Sequence, residues 1–230
     1  MSVNFPPSRG GEGQAALLSE LREAYTAALI LGEEVGAEVV VREALEAGLD
    51  EATIQEEVLT PSLRRVGDLW ERGSLTVADE HLATQITLRV LALGREAERV
   101  ATGRRQKRVM LAGVEGEEHI VGLRMASELL TSGGYETLFL GSDVPIDSLA
   151  QIVEKHRPNV LALTATMPES GGLLRLAIDE ARRGDPGLSL LVGGQGVPRE
   201  FRGGEGVSVA AELSGVIETV DALIRRPGLN

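Results

Sequence analysis

The residues with the clearest chemical potential form an acid-x-His-x-x-Gly element that contains Glu117, His119 and Gly122. The element directly follows the apolar run 109–114, which is typical of a buried strand. A loop at a strand end can present one imidazole to a bound cofactor. The neighbouring carboxylate can accept the other ring proton, which fixes the tautomer and strengthens the donor nitrogen. We predict His119 as a metal ligand and Glu117 as its hydrogen-bond partner; a solvated loop histidine is the alternative.

Two further elements stand after two later apolar runs. They are Thr164-Ala165-Thr166, which follows 160–163, and Gly193-Gly194, which follows 188–192. The threonines would supply hydroxyls to a buried ligand, and the glycine pair would leave space for it between strand and loop. Gly122 would let the backbone approach the ligand without an intervening side chain. Hydroxyls bonded to the backbone and an ordinary glycine turn are the alternatives.

Together the three elements resemble the cobalamin-binding signature, and the resemblance covers most of residues 105–226. It implies that cobalamin binds with His119 as the lower cobalt ligand. The displaced dimethylbenzimidazole tail would lie in the pocket formed by the second and third elements. Glu117 stands where many members of the family have Asp, and its additional methylene bears on the carboxylate–imidazole contact.

An earlier element, Trp70-x9-Glu80-His81, resembles the adenosylcobalamin photoreceptors of the CarH/LitR type, and this similarity extends back to about residue 55. The resemblance implies that Trp70 and Val77 cover the upper face of the corrin. Glu80 would accept hydrogen bonds from the adenosyl group. His81 would become the second axial cobalt ligand after light breaks the cobalt–carbon bond. In the alternative, Trp70 belongs to a helical core and Glu80 and His81 lie on a helix surface.

Hydrophobic periodicity predicts that helices carry Trp70, Glu80 and His81 and that a sheet carries the three cobalamin-signature motifs. Apolar residues at three- and four-residue spacing predict a four-helix bundle over residues 14–102, after a disordered lead over 1–13. Stops are expected at Gly32 and Gly48, and Asp50 is expected to cap the third helix. Pro61 predicts a kink, or a restart with Thr60 as the cap.

Short apolar runs alternate with helix-length segments from residue 103 to 230, which predicts an α/β domain with a doubly wound, parallel, five-stranded, flavodoxin-like sheet. The expected strands are 109–114, 137–140, 160–163, 188–192 and 207–210. Ligands of such sheets bind at the carboxyl ends of the strands. All three cobalamin-signature elements follow strand ends, so one ligand could touch all of them.

Composition narrows the function further. The chain has 23 basic and 35 acidic residues, a net charge of −12, which disfavours direct nucleic-acid binding. The basic cluster 104–108 is interpreted as a linker. The photoreceptor repressors carry a DNA-binding domain before the bundle; residues 1–13 are too few to form one, so we expect none here. With no cysteine and no apolar run of about 20 residues, we expect a cytoplasmic protein that does not enter a membrane.

Two functions from different classes fit these features. The first is an adenosylcobalamin-dependent light sensor, not an enzyme, that signals through self-association as a homo-oligomer and through a downstream protein partner. The second is a corrinoid shuttle subunit of a methyltransferase system, in which cobalt carries a methyl group. Methylcobalamin and hydroxocobalamin are alternative cofactor forms. The set Trp70, Glu80 and His81 favours the sensor, because a shuttle has no use for a second histidine.

Overall fold

A computed structural model describes residues 11–98, 106–202, 204–210 and 212–225. The chain divides into two compact units between Val90 and Leu91, a point that lies inside the last helix of the first unit. This division falls earlier than the boundary that we predicted at residues 102 and 103. Of the predicted lead, residues 11–13 are already helical, and residues 1–10 lie outside the described part.

The first unit is helical throughout. Its elements are α1 (Gly11–Leu31), α2 (Glu34–Glu46), α3 (Glu51–Ile54), a π-helical segment (Gln55–Leu59), α4 (Thr60–Glu71) and α5 (Val77–Glu98). The residues that join α3, the π segment and α4 all keep right-handed helical backbone angles, so these three form one continuous helix. Over the described residues the unit therefore has the four predicted helical segments.

Local chemistry explains where these helices begin and end. Gly32 and Gly48 adopt positive φ angles of 68° and 86° just after α1 and α2, as a helix stop requires. The Asp50 carboxylate accepts a hydrogen bond of 2.9 Å from the Thr53 N–H and caps α3. Thr60 is helical, so our alternative of a restart capped by Thr60 is wrong. The π segment accommodates Pro61 by widening the helix before it.

Buried side chains hold the helices together. Tyr25 of α1 is fully buried and its hydroxyl donates to Thr87 Oγ1 of α5 at 3.1 Å. Burial raises the pKa of Tyr25 to about 12, since ionisation would place a charge in this apolar core. Arg89 of α5 pairs with Glu34 of α2 at 2.5 Å on the surface. α5 is thus tied to α1 and α2.

The second unit is the predicted α/β domain. Its strands are β1 (Arg108–Gly113), β2 (Glu136–Gly141), β3 (Val160–Thr164), β4 (Ser189–Gly193) and β5 (Val207–Val209). Its helices are α6 (Val121–Ser132), a 3-10 turn (Ile146–Ser148), α7 (Leu149–His156), α8 (Pro168–Gly184) and α9 (Val216–Ile224). Arg108 of the basic cluster starts β1 and pairs with Glu136 at 2.7 Å, so the linker interpretation is wrong for this residue.

All five strands are parallel, in the order β2-β1-β3-β4-β5. This is the flavodoxin-like order, and it confirms the predicted fold. α7 packs on α8 and α6 packs on α9, which places a helix pair on each face of the sheet. The chain reverses its direction of winding between β1 and β3, so the ligand crevice of such a sheet opens beside the loops that follow these two strands.

No helix in the described part of the chain is long and apolar enough to span a bilayer.

Candidate functional site

Parallel pairing brings the three motifs of the α/β unit to one edge. Gly113, Thr164 and Gly193 are cross-strand neighbours on β1, β3 and β4, so these strands end at the same level. Backbone hydrogen bonds continue past the ends, from Val114 N to Thr164 O at 3.1 Å and from Ala165 N to Gly193 O at 3.0 Å. The predicted juxtaposition of the motifs therefore follows from the sheet register.

The Glu117–His119 pair is formed as predicted. His119 Nδ1 lies 2.8 Å from Glu117 Oε1, and the His119 N–H donates to the same oxygen at 2.8 Å. The Glu117 side chain has no exposed surface, whereas the His119 side chain is 57% exposed. Among the described residues no hydrogen bond engages Nε2 of His119. A carboxylate at this distance accepts a hydrogen bond from Nδ1, which favours the tautomer that leaves Nε2 available to a metal.

The second carboxylate oxygen of Glu117 reaches the loop between β3 and α8. Oε2 accepts hydrogen bonds from the backbone N–H of Thr166 and, at 3.3 Å, of Met167, and from the Ser170 hydroxyl at 2.9 Å. These donors begin α8, and a carboxylate at a helix N-terminus is stabilised by the helix dipole. The methylene that distinguishes Glu from Asp thus lets one side chain join the histidine loop to the threonine loop.

The environment of Glu117 favours its charged form. Burial raises the pKa of Glu117, but the hydrogen bonds from the Thr166 and His119 backbone, from the Ser170 hydroxyl and from the His119 ring outweigh burial and hold that pKa below its ordinary value. A carboxylate that stays ionised remains an acceptor for the imidazole N–H. It also leaves an incoming metal with an electron-rich donor nitrogen.

The threonine and glycine elements are close together but have different roles. Thr164 and Thr166 are half-buried, and no hydrogen bond within the described ranges engages either hydroxyl. Our alternative of backbone-bonded hydroxyls is therefore not supported, and both remain available to a ligand. Gly194 has a φ of 104°, and a Cβ there would lie 2.2 Å from the Ala165 carbonyl oxygen. That space is filled by the neighbouring loop, so the expected slot does not open at Gly194.

The remaining glycines of this region differ in whether a side chain would fit at their position. A Cβ on Gly196 would lie 2.2 Å from the Met167 carbonyl oxygen, so Gly196 also packs the two loops together. A Cβ on Gly193 would meet nothing closer than 3.9 Å. Gly122 is exposed, has no atom within 4 Å of a Cβ, and is the second residue of α6 rather than part of the preceding loop. Of the three glycines predicted for the site, Gly122 and Gly193 thus have open space beside them, whereas Gly194 does not.

The helical unit carries a second carboxylate–imidazole pair. His81 Nδ1 lies 2.7 Å from Glu80 Oε2, and Glu80 Oε1 accepts a hydrogen bond of 3.0 Å from Thr84 Oγ1. His81 is 73% exposed and Glu80 is 32% exposed. No hydrogen bond from the described part of the chain engages Nε2 of His81. Both residues lie in the first two turns of α5, which begins with the mutual hydrogen bonds of Thr76 and Asp79.

The two large apolar residues that were predicted to cover the upper face are both exposed, as are five others of this unit, namely Ile30, Leu31, Val35, Leu45 and Leu82. Trp70, near the end of α4, is 44% exposed, and Val77, at the start of α5, is exposed as well. The alternative that Trp70 belongs to the helical core is therefore wrong.

In the α/β unit, His156 is half-buried and is the last residue of α7, as expected for a helix-end histidine.

These donors fit a metal that arrives with most of its own ligands. No three His, Asp or Glu side chains converge into a metal site within the described residues. Each unit instead offers a single imidazole with its Nδ1 occupied by a carboxylate. A cobalt ion already held by a macrocycle needs only such an axial nitrogen, so the residues present fit a corrin.

Ser170 and the backbone of Met167 were not predicted as parts of this site. Ser170 is separated from Glu117 by 53 residues in sequence, and no spacing rule connects the two. A polar residue in the first turn of the helix after the threonine element was the available signal. Ser170 is also fully buried, which a serine near a helix start usually is not.

Comparison with known families matches both units. A B12 binding domain model covers residues 21–93 and a second B12 binding domain model covers residues 107–220. The chain is therefore a cobalamin-binding protein that combines two such domains.

Relatives of two kinds are similar to this chain in sequence. The HTH-type transcriptional repressor CarH of Myxococcus xanthus is 36% identical over 60% of this chain and 46% of its own length. Trimethylamine corrinoid protein 1 of Methanosarcina acetivorans is 28% identical over 59% of this chain and 63% of its own length. The matched segment thus spans less than two thirds of the length of either relative.

Solved structures show the same fold. The monomethylamine corrinoid protein of Methanosarcina barkeri superposes with a TM-score of 0.72 at 20% identity, over 89% of this chain and 98% of that one. A chain of the methanol:cobalamin methyltransferase complex of Methanosarcina barkeri gives 0.50 at 21% identity, over 97% and 94%.

Proposed function

We propose that this protein is an adenosylcobalamin-dependent light sensor in which His119 is the lower cobalt ligand and His81 is the replacement upper ligand. The observation that carries the proposal is the second carboxylate–imidazole pair, Glu80 and His81, in a unit that also exposes Trp70 and Val77. Lower-face ligation alone suits methyl transfer, radical mutases and light sensing equally, so the upper-face residues select the function.

His119 is suited to permanent ligation. Its ring is held at Nδ1 by a carboxylate that is itself fixed by four hydrogen-bond donors from two loops, namely the His119 and Thr166 N–H groups, the Met167 N–H and the Ser170 hydroxyl. The imidazole is therefore oriented before the cofactor arrives, which lowers the entropy cost of binding. Thr164, Thr166 and Gly193 would receive the nucleotide tail.

His81 is suited to conditional ligation. Adenosylcobalamin supplies a weak cobalt–carbon bond that light breaks. In darkness Trp70 and Val77 would shield the adenosyl group from water, and Glu80 would accept its hydrogen bonds. Nε2 of His81 has no hydrogen-bond partner among the described residues, so it would be available to the cobalt once the adenosyl group had left. A ligand exchange of this kind can shift the equilibrium between two packing arrangements of the protein, and such a shift is the output of a molecular switch.

The output would pass to another protein or through self-association. The net charge of −12 disfavours direct contact with nucleic acid. We propose a homo-oligomer whose assembly depends on light and a downstream protein partner, with the protein acting as a sensor and not as an enzyme.

A corrinoid carrier of a methyltransferase system is the second candidate. The trimethylamine corrinoid protein relatives and the chain from a methyltransferase complex favour it. In that role the protein would bind methylcobalamin, dock on a methyltransferase partner and need no replacement ligand. His81 and Glu80 would then be ordinary surface residues of α5.

The two candidates differ in their response to light. The protein is loaded with adenosylcobalamin in darkness, and absorbance spectra and size-exclusion profiles are recorded before and after green light. A sensor converts to a bis-imidazole spectrum, His81→Ala abolishes that product, and the elution volume changes. His119→Ala weakens cofactor retention in either role.

His156→Gln is the matched control, since the chain has three histidines and this one ends α7. We expect its spectra to equal those of the unmodified protein. Spectra that light does not change, together with methyl exchange to an added corrinoid methyltransferase, would replace the sensor with the carrier. Cofactor retention that His119→Ala leaves intact would remove lower-face ligation.

A further inference from the structure

The loop that carries Glu117 and His119 is fastened to the loop that follows β2. Asp143 Oδ1 accepts a hydrogen bond from the Gly116 N–H at 2.8 Å, and the Asp143 N–H donates to the Glu117 carbonyl oxygen at 2.8 Å. The Val144 N–H donates to the Gly113 carbonyl oxygen at 3.0 Å. Asp143 therefore contacts the histidine loop with both its side chain and its backbone.

The backbone of Asp143 has the conformation that this double contact requires. Its φ is 52°, in the left-handed region that few non-glycine residues adopt, and Asp is among the side chains that tolerate it. Here the aspartate carboxylate and the aspartate N–H point to the same loop. Gly113 allows the close approach, because a Cβ there would lie 3.0 Å from the Ser142 Cα.

Asp143 acts on the position of Glu117 rather than on the core. The Glu117 N–H donates to the Val114 carbonyl oxygen at 2.9 Å, so the contact from Asp143 completes the fixation of the Glu117 backbone on both sides. One oxygen of the Glu117 carboxylate is then within hydrogen-bond distance of His119 Nδ1, and the other accepts from the Ser170 hydroxyl in the first turn of α8. Asp143 itself is exposed, so removing its carboxylate leaves no buried cavity.

We infer that Asp143 is a positioning residue for the lower cobalt ligand: its carboxylate holds the Gly116 to Glu117 backbone so that Glu117 selects the ligating tautomer of His119. The inference rests on His119 as the lower ligand, and it is independent of whether light or methyl transfer is the function. Groups that orient a metal-bound histidine change metal affinity by about 10- to 100-fold when they are removed. For Asp143, one bond more remote, we expect about tenfold.

The test compares Asp143→Ala, Asp143→Asn and the control Asp147→Ala. Asn keeps the tolerance for positive φ and an oxygen that can accept from Gly116, whereas Ala keeps neither. Asp147 is exposed and lies in the 3-10 turn that follows the same loop. Cobalamin affinity is measured by absorbance titration. The His119 tautomer in the cofactor-free protein is read from its imidazole nitrogen chemical shifts. The fixation of the loop is measured by hydrogen exchange of the Gly116 amide.

We expect Asp143→Ala to bind cobalamin about tenfold more weakly, to populate both His119 tautomers and to lose protection at Gly116. Asp143→Asn should restore all three, and Asp147→Ala should match the unmodified protein. A merely structural role would leave the His119 tautomer unchanged. Unmodified affinity and tautomer in Asp143→Ala would overturn the inference, as would weakening that Asn fails to rescue. If His119→Ala leaves affinity intact, lower-face ligation fails instead, and the tautomer and exchange readouts still decide the role of Asp143.

Discussion

The two carboxylate–imidazole pairs of this protein have the same chemistry in opposite surroundings. Glu117 and His119 meet at 2.8 Å, and Glu80 and His81 meet at 2.7 Å, each through Nδ1. The Glu117 side chain is fully buried, whereas the Glu80 side chain is 32% exposed. Glu117 receives donors from two loops and a helix start, while Glu80 receives one hydroxyl from its own helix.

The difference teaches which imidazole is committed to its position. Breaking the Glu117 contacts would strand several buried donors, so the His119 orientation is part of the folded structure. Water can replace every partner of Glu80, so the His81 ring can leave and return at small cost. A permanent lower ligand needs the first property, and a ligand that is engaged only after illumination needs the second.

Removing each carboxylate should give the largest contrast. We expect Glu117→Ala to lower the free energy of unfolding by about 3 kcal/mol or more, because buried N–H and O–H donors lose their acceptor. Glu80→Ala should change it by about 0.5 kcal/mol or less. Urea unfolding followed by far-UV circular dichroism measures both. Equal losses of unfolding free energy in the two variants would show that Glu117 and Glu80 are held equally firmly.

Acid should reveal the buried carboxylate next. The pKa of Glu117 in the folded protein is held below its ordinary value of 4.5, so folding favours the ionised form of this side chain. Its stabilising contribution is complete above pH 4.5 and is lost as the pH falls through the folded-state pKa. We expect the difference in unfolding free energy between the unmodified protein and Glu117→Gln to shrink below that pH. A difference that is constant with pH would contradict the depressed pKa.

The hydroxyl donors should give the smallest contrast. Ser170→Ala removes a buried donor to Glu117 and should cost about 1 kcal/mol of unfolding free energy. Thr84→Val removes the corresponding donor to Glu80 and should cost about 0.3 kcal/mol or less, since water can take its place. Thermal unfolding compares the two variants. If Thr84→Val were the more costly change, Glu80 would have to be as firmly held as Glu117.

Much of the architecture was predictable because it depends on local patterns. The apolar runs marked all five strands to within one or two residues, and Asp50 caps its helix as expected. The Glu117–His119 contact was also predictable, because the two residues are separated by a single position. The π segment before Pro61 was not predictable, since five residues of i→i+5 hydrogen bonding are too few to show in the hydrophobic pattern.

The parts of the site that were missed depend on contacts between distant segments. Ser170 reaches Glu117 from the first turn of α8, and Asp143 reaches the Glu117 loop from the loop that follows β2; neither carries a spacing signal. The slot expected at Gly194 is occupied by the Ala165 carbonyl, which only the packing of two loops could place there. Trp70 was open to both a core and a surface position, and burial alone resolved it.

By itself the sequence determined the order of the elements, the alternation of strand and helix, and the placement of each motif directly after a strand. These are properties of neighbouring residues, and the backbone period expresses them. Tertiary structure decided which donors surround Glu117, which glycine faces open space and which histidine is firmly held. Those outcomes depend on burial, and burial exists only once remote segments exclude water from the same place.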